Sequence, residues 1–225
     1  MLVAHDLLLL LLDDETGKTA TWVSDPDTAL AGAVLVDLAA RDLVSVAGDD
    51  DVVKKGRLVV RSSEVPPEPV LRRGLEVARE QEGRKPEYAL GALAKGLRDQ
   101  LAGELVSAGI LRREEHKVLG LFRTQRLPSN DNTYENELRS RLSAVLTGAQ
   151  QPDDRTGPLL ALLHATDAVT RVLPVDDKRA AKRRAKEVAE GDWAAAAVRK
   201  AVQAVQSAVI ATIVVTSATT STAGA

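Results

Sequence analysis

Lys95 and Arg98 stand three residues apart within a stretch, Pro86 to Ala108, that reads as one long helix. That spacing puts both cations on one helical face, where they can hold a single phosphate through charge-assisted hydrogen bonds. On spacing alone, a solvated cationic face is the better reading. A second cationic feature, Lys178 to Lys186, holds Lys178, Arg179, Lys182, Arg183, Arg184 and Lys186. No aromatic residues interleave with it to stack bases, so it reads as a solvated run that adds attraction to anionic lipid. A third feature is Ile110 to Pro128, read as a β-hairpin whose apolar tip lies near Gly120. Val118, Leu119, Leu121 and Phe122 form that tip, flanked by Arg112, Arg113, Lys117, Arg123 and Arg126. Apolar residues that enter a bilayer beneath cations at the headgroups have this pattern. A hairpin that packs on its own domain, or on a second copy, has it equally.

Catalytic chemistry finds less support. The three histidines, His5, His116 and His164, are far apart, and His5 and His164 sit in apolar helical contexts. A lone histidine there is usually a satisfied boundary residue. With no cysteine, thiolate catalysis, disulfides and cysteine-based zinc sites are excluded. No Walker, Gly-x-Ser-x-Gly, His-Glu-x-x-His or Gly-x-Gly-x-x-Gly pattern occurs. The acids Asp13, Asp14 and Glu15 do not have the spacing of a calcium loop. No catalytic residue, metal site or cofactor is therefore expected.

These side chains need elements to position them. At 225 residues the chain suffices for one domain with a substantial core. Aromatic residues are only 2%, so that core must be built from Leu, Val and Ala. Each aromatic, Trp22, Trp193, Tyr88, Tyr134 or Phe122, is then a candidate for a specific role. The net charge of -2 provides no global basic field for nucleic acid. Helices are expected over Ala4 to Leu12, from Pro26 behind an Asp25 cap, over Val70 to Gln81, and over Pro86 to Ala108 before Gly109. Further helices are expected from Asn132 or Asp131 to about Thr147, over Gly157 to Leu173, and as a basic and an Ala-rich pair within Asp176 to Val215, parted near Gly191. Short strands are expected at Thr19 to Val23, Leu43 to Val46 and Arg57 to Val60, with Asp49, Asp50 and Asp51 as a solvent-facing turn. The apolar stretch after Ala194 carries Arg199, Lys200, Gln203 and Gln206, which marks a core helix and not a membrane span.

Taken in order, several segments resemble the Golgi phosphoprotein 3 family. They are Leu7 to Gly17, Trp22, Ala29 to Ala39, Leu105 to Leu111, and Leu163-His164-Ala165-Thr166-Asp167. The resemblance spans nearly the whole chain and rests on the ordered set. It implies a mostly helical peripheral membrane adaptor that binds phosphatidylinositol 4-phosphate. It also implies a headgroup site made of Trp22, Lys95 and Arg98, which raises that cation pair above a solvated face. Where the family carries an Arg on the helix after the Trp, this chain has Ala31. One charge-assisted contact, on the order of 1.5–3 kcal/mol, is thereby missing. Met1 falls almost on the first helix, without the basic leader of eukaryotic members, and the composition points to a GC-rich bacterial genome.

The sequence therefore predicts a mainly α, compact single-domain helical bundle over 1–215, with a few short strands, a protruding β-hairpin and a flexible tail over 216–225. It predicts a peripheral protein at the inner face of the cell membrane, with an anionic phospholipid surface as partner, no nucleic acid, and the hairpin as insertion or self-association element. The alternative is a soluble self-associating scaffold or protein-interaction module without lipid binding. An enzyme ranks third.

Overall fold

The computed structural model describes residues 1–13, 25–118, 122–191 and 200–211; of the hairpin strands, the side chains of 115–118 and 122–125 are excluded. The strand expected over Thr19 to Val23 lies outside the described residues.

Helix α1 (Val3–Leu11) is a run of leucines buried on all sides except at His5. A helix this apolar can only sit in the middle of a bundle. Its two polar side chains are both engaged: His5 Nε2 lies 2.9 Å from Glu104, and Asp6 accepts the hydroxyl of Tyr134 at 2.6 Å and a bond from Arg155. Its leading N–H groups have no local cap. Asp37, from the next helix, accepts them from Val3 at 2.9 Å and Ala4 at 3.0 Å.

Helix α2 (Pro26–Ala39) is likewise buried throughout from Thr28. The expected cap is present: Asp25 accepts the Thr28 N–H at 3.0 Å, with Pro26 at the first helical position. A Cβ on Gly32 would lie 2.7 Å from Val205 Cγ1, and one on Gly74 would lie 2.7 Å from Val34 Cγ1. Glycine at these two points lets the helix over 200–211 and helix α3 (Pro69–Glu80) close onto α2.

Strands β1 (Val44–Val46) and β2 (Leu58–Val60) pair antiparallel, as expected. The aspartates between them do more than face solvent: Asp51 accepts the Gly48 N–H at 2.6 Å and a bond from Arg61 at 2.7 Å.

The single helix expected over Pro86 to Ala108 is two, α4 (Pro86–Ala94) and α5 (Leu97–Ser107). Lys95 turns extended (φ -62, ψ 112) and Gly96 is left-handed (φ 71). The long helix over Gly157 to Leu173 is also broken, into α7 (Thr156–Ala165) and α8 (Val169–Val172), with Asp167 at φ 52. Asp is among the few residues that tolerate that conformation.

Helix α5 ends where Gly109 predicts. Ile110 N–H reaches Leu105 O at 3.0 Å and Gly109 N–H reaches Val106 O at 3.0 Å, the paired bonds of a Schellman stop. The hairpin follows, with β3 (Glu114–Val118) antiparallel to β4 (Phe122–Arg126). Its base is clamped by Arg112 N–H to Pro128 O, Asn130 N–H to Ile110 O, and Asn130 Nδ2 to Gly109 O at 2.7 Å. Its described strands pack broadly on none of the helices. Helix α6 (Thr133–Leu146) is entered through Asp131, which accepts the Thr133 N–H at 2.8 Å. The basic run forms α9 (Lys178–Glu190), capped by Asp177 and packed on α7 and α8. The fold is mainly α with small antiparallel hairpins.

Candidate functional site

Because the chain breaks at Lys95–Gly96, Lys95 and Arg98 do not share a face of one helix. They flank a joint: Lys95 is the last residue before Gly96, and Arg98 lies in the first turn of α5. Gly96 supplies no side-chain cap to the leading N–H groups of α5, and the exposed Asp99 in the first turn offsets part of the positive end of that helix. Leu97, fully buried, anchors the joint to the core. Arg73 from α3 locks it by donating to the carbonyls of Leu93 (3.0 Å) and Lys95 and to Gln100 (3.1 Å).

The two cations differ in state. Lys95 is exposed, and its ammonium has no hydrogen-bonding partner among the described residues. Arg98 is committed. Its Nε donates to Asp27 Oδ1 at 2.9 Å and its second nitrogen to Oδ2 at 2.7 Å, a two-pronged pair. Both side chains are a little over one-third exposed (37% and 38%), so the pair lies at the surface and is open to exchange. Asp27 sits in the first turn of α2, which brings the N-terminal ends of α2 and α5 together at this point. Ala31 is fully buried, so α2 is packed shut at the position where the resemblance expected an Arg.

Trp22, Leu119 and Leu121 lie outside the described residues. Val118 and Phe122 occupy directly opposed positions at the tip end of β3 and β4. The structure thus brings Lys95 and Arg98 to one joint and places the hairpin at the other end of α5.

Three residues at or near the joint went unread in the sequence as parts of a site. Asp27 and Arg73 act across the packing, and no local pattern signals such contacts. Tyr88 was legible: it precedes Lys95 by seven residues, two turns of a helix, and Tyr88 and Ala92 of α4 and Lys95 just past its end are all exposed. Tyr88 is 51% exposed, with the Arg84 guanidinium 3.7 Å from its ring centre.

On α9, Lys182 pairs with Asp167 and Arg184 with Glu187, whereas Lys178, Arg179 and Arg183 are exposed without a partner among the described residues. His164 is held below its usual range by burial, chiefly, and His5 is engaged with Glu104. The side chain of His116 is outside the description. An open groove of about 630 Å³ is lined by Val60, Arg61, Ser62, Ser63, Arg79 and Glu82, with Arg61 already bound to Asp51. No group of three or more potential metal ligands converges among the described residues, and none of the described helices is long and apolar enough to cross a membrane. The chemistry available at the joint is recognition of an anion by an exposed ammonium, an exchangeable guanidinium and a helix N-terminus.

The match to the family model described as Golgi phosphoprotein 3 (GPP34) runs over residues 3–205, nearly the whole helical bundle, and the chain belongs to that family.

Proposed function

We propose that this protein is a peripheral membrane module that binds phosphate-bearing anionic lipid headgroups, of the phosphatidylinositol 4-phosphate type, at the α4–α5 joint. Lys95 and Arg98 supply the cations and Trp22 the aromatic contact, while Val118, Leu119, Leu121 and Phe122 at the hairpin tip enter the apolar layer. The observation that carries this reading is the unpaired, exposed Lys95 beside the uncapped N-terminus of α5, with Arg98 one turn away. The unpaired cations of α9 add weaker, salt-sensitive attraction. The protein acts by binding and not by catalysis, and its place is the inner face of a bacterial cell membrane.

The reading is tested with the double variant Lys95→Ala/Arg98→Ala on vesicles of phosphatidylcholine containing phosphatidylinositol 4-phosphate. Loss of two charge-assisted contacts should weaken binding by about ten-fold or more. Unchanged binding removes the joint from the account.

A second reading, a self-associating scaffold, draws on the hairpin, whose base is clamped and whose strands pack broadly on none of the helices. In that case Leu121→Ser/Phe122→Ser changes the molecular mass seen by light scattering and leaves vesicle binding as it was.

A further inference from the structure

We infer that Asp27 is a charge filter for the α4–α5 joint, holding Arg98 so that only a phosphomonoester dianion, and not a phosphodiester, gains the full site. This rests on the reading of the joint as a headgroup site.

Asp27 presents both oxygens to Arg98, at 2.9 and 2.7 Å, in the two-pronged arrangement that a phosphate would otherwise adopt on the same guanidinium. An incoming anion therefore competes with a carboxylate already in place, fixed on the first turn of α2 and present at high effective concentration. A phosphodiester carries one negative charge, no more than Asp27 itself. It gains nothing by displacing Asp27 and can engage only Lys95. A phosphomonoester carries about -1.5 to -2 at neutral pH and three acceptor oxygens. It can bridge Lys95 and Arg98 and accept from the α5 N-terminus while Asp27 turns outward. Asp27 is 38% exposed, so water can take over its solvation when it leaves. A surface pair of this exposure contributes little to folding, so stability alone does not account for its geometry.

The filter predicts that Asp27→Asn improves binding of diesters more than monoesters. The test uses the full chain and two pairs of probes. In solution, methyl phosphate and dimethyl phosphate are titrated and followed by amide chemical shifts at the joint. On vesicles, phosphatidylinositol 4-phosphate is compared with phosphatidylglycerol at matched surface charge. The wild type should prefer the monoester in each pair, and Asp27→Asn should reduce that preference by about three-fold or more through tighter diester binding, the scale of one solvent-exposed ion pair. In an Arg98→Ala background the Asp27→Asn gain should disappear, which separates occupation of Arg98 from simple repulsion by Asp27. Thermal melts of each variant verify that folding is intact. A preference unchanged by Asp27→Asn, or a gain that persists without Arg98, overturns the filter while leaving the headgroup site standing. Filtering in solution with no vesicle binding supports the filter and assigns it to a soluble phosphomonoester, against the membrane reading. No response to any of the four probes overturns both.

Discussion

Asp37 carries an ionisable carboxyl where water does not reach, and burial pushes it up to about 6, against the lowering effect of the N–H groups of Val3 and Ala4. Asp6, also buried, is raised by burial although Arg155 opposes the shift. For Asp37 the consequence has a definite sign. The folded state binds this proton more tightly than the unfolded chain, whose carboxyl titrates near 3.8. The group's contribution to stability is therefore fully present below about pH 4 and is lost as pH rises through about 6. Over that window the shift from 3.8 to about 6 corresponds to about 3 kcal/mol at ~1.4 kcal/mol per unit. His164, lowered by burial, works in the opposite direction at nearby pH, so the measurement has to be a difference. Denaturant unfolding of the wild type and Asp37→Asn between pH 4 and 7 should show the wild type losing stability relative to the variant as pH rises. Parallel pH curves for the two proteins would mean that Asp37 titrates normally. Tyr134, half-buried on α6, satisfies its polar atom on a distant partner: its hydroxyl donates to Asp6 at 2.6 Å.

At the scale of elements, several helix ends are capped by side chains distant in sequence. Asp37 caps α1, Glu104 accepts the Val70 N–H at the start of α3 (3.1 Å), Arg73 holds the end of α4, and Arg139 donates to Val172 O at the end of α8. Acids sit at N-terminal ends and arginines at C-terminal ends, as the helix dipole favours. This pattern explains what could be read from sequence and what could not. The α2 start, the Gly109 stop and the Asp131 entry to α6 are local devices, and all were legible. The break at Gly96 was not. Gly91 and Gly103 lie in the same stretch and are helical, and Leu93 and Leu97 keep a helical spacing across the joint, so nothing local singles out Gly96. What ends α4 there includes Arg73, 22 residues away from Lys95. Of the candidate site, the cation pair and hairpin were visible as residue types. The commitment of Arg98 to Asp27 was not, because those two residues lie 71 apart in the chain. The packing of α2 gives a further expectation. Gly32→Ala puts a Cβ 2.7 Å from Val205 Cγ1, so the Val205 side chain or the helix over 200–211 that carries it must shift. Overpacking of this kind costs about 1–3 kcal/mol, or several degrees in Tm for a chain of this size. A Tm equal to that of the wild type would mean that this helix sits on α2 less tightly than described.

For the whole molecule, the net charge of -2 leaves no global attraction to anionic surfaces, so any such binding must be local. The joint and the base of the hairpin lie at opposite ends of α5, whose 11 residues span about 16 Å at ~1.5 Å per residue. The exposed Tyr88, with the Arg84 guanidinium against its ring, is of the residue type favoured at headgroup depth. The most direct test of the account is co-sedimentation of the wild-type protein with vesicles of phosphatidylcholine alone, with phosphatidylglycerol, and with phosphatidylinositol 4-phosphate, at low and moderate salt. The account predicts no binding to neutral vesicles, strongest binding with the 4-phosphate, and weakening as salt rises. Failure to sediment with any anionic vesicle at low salt would contradict it.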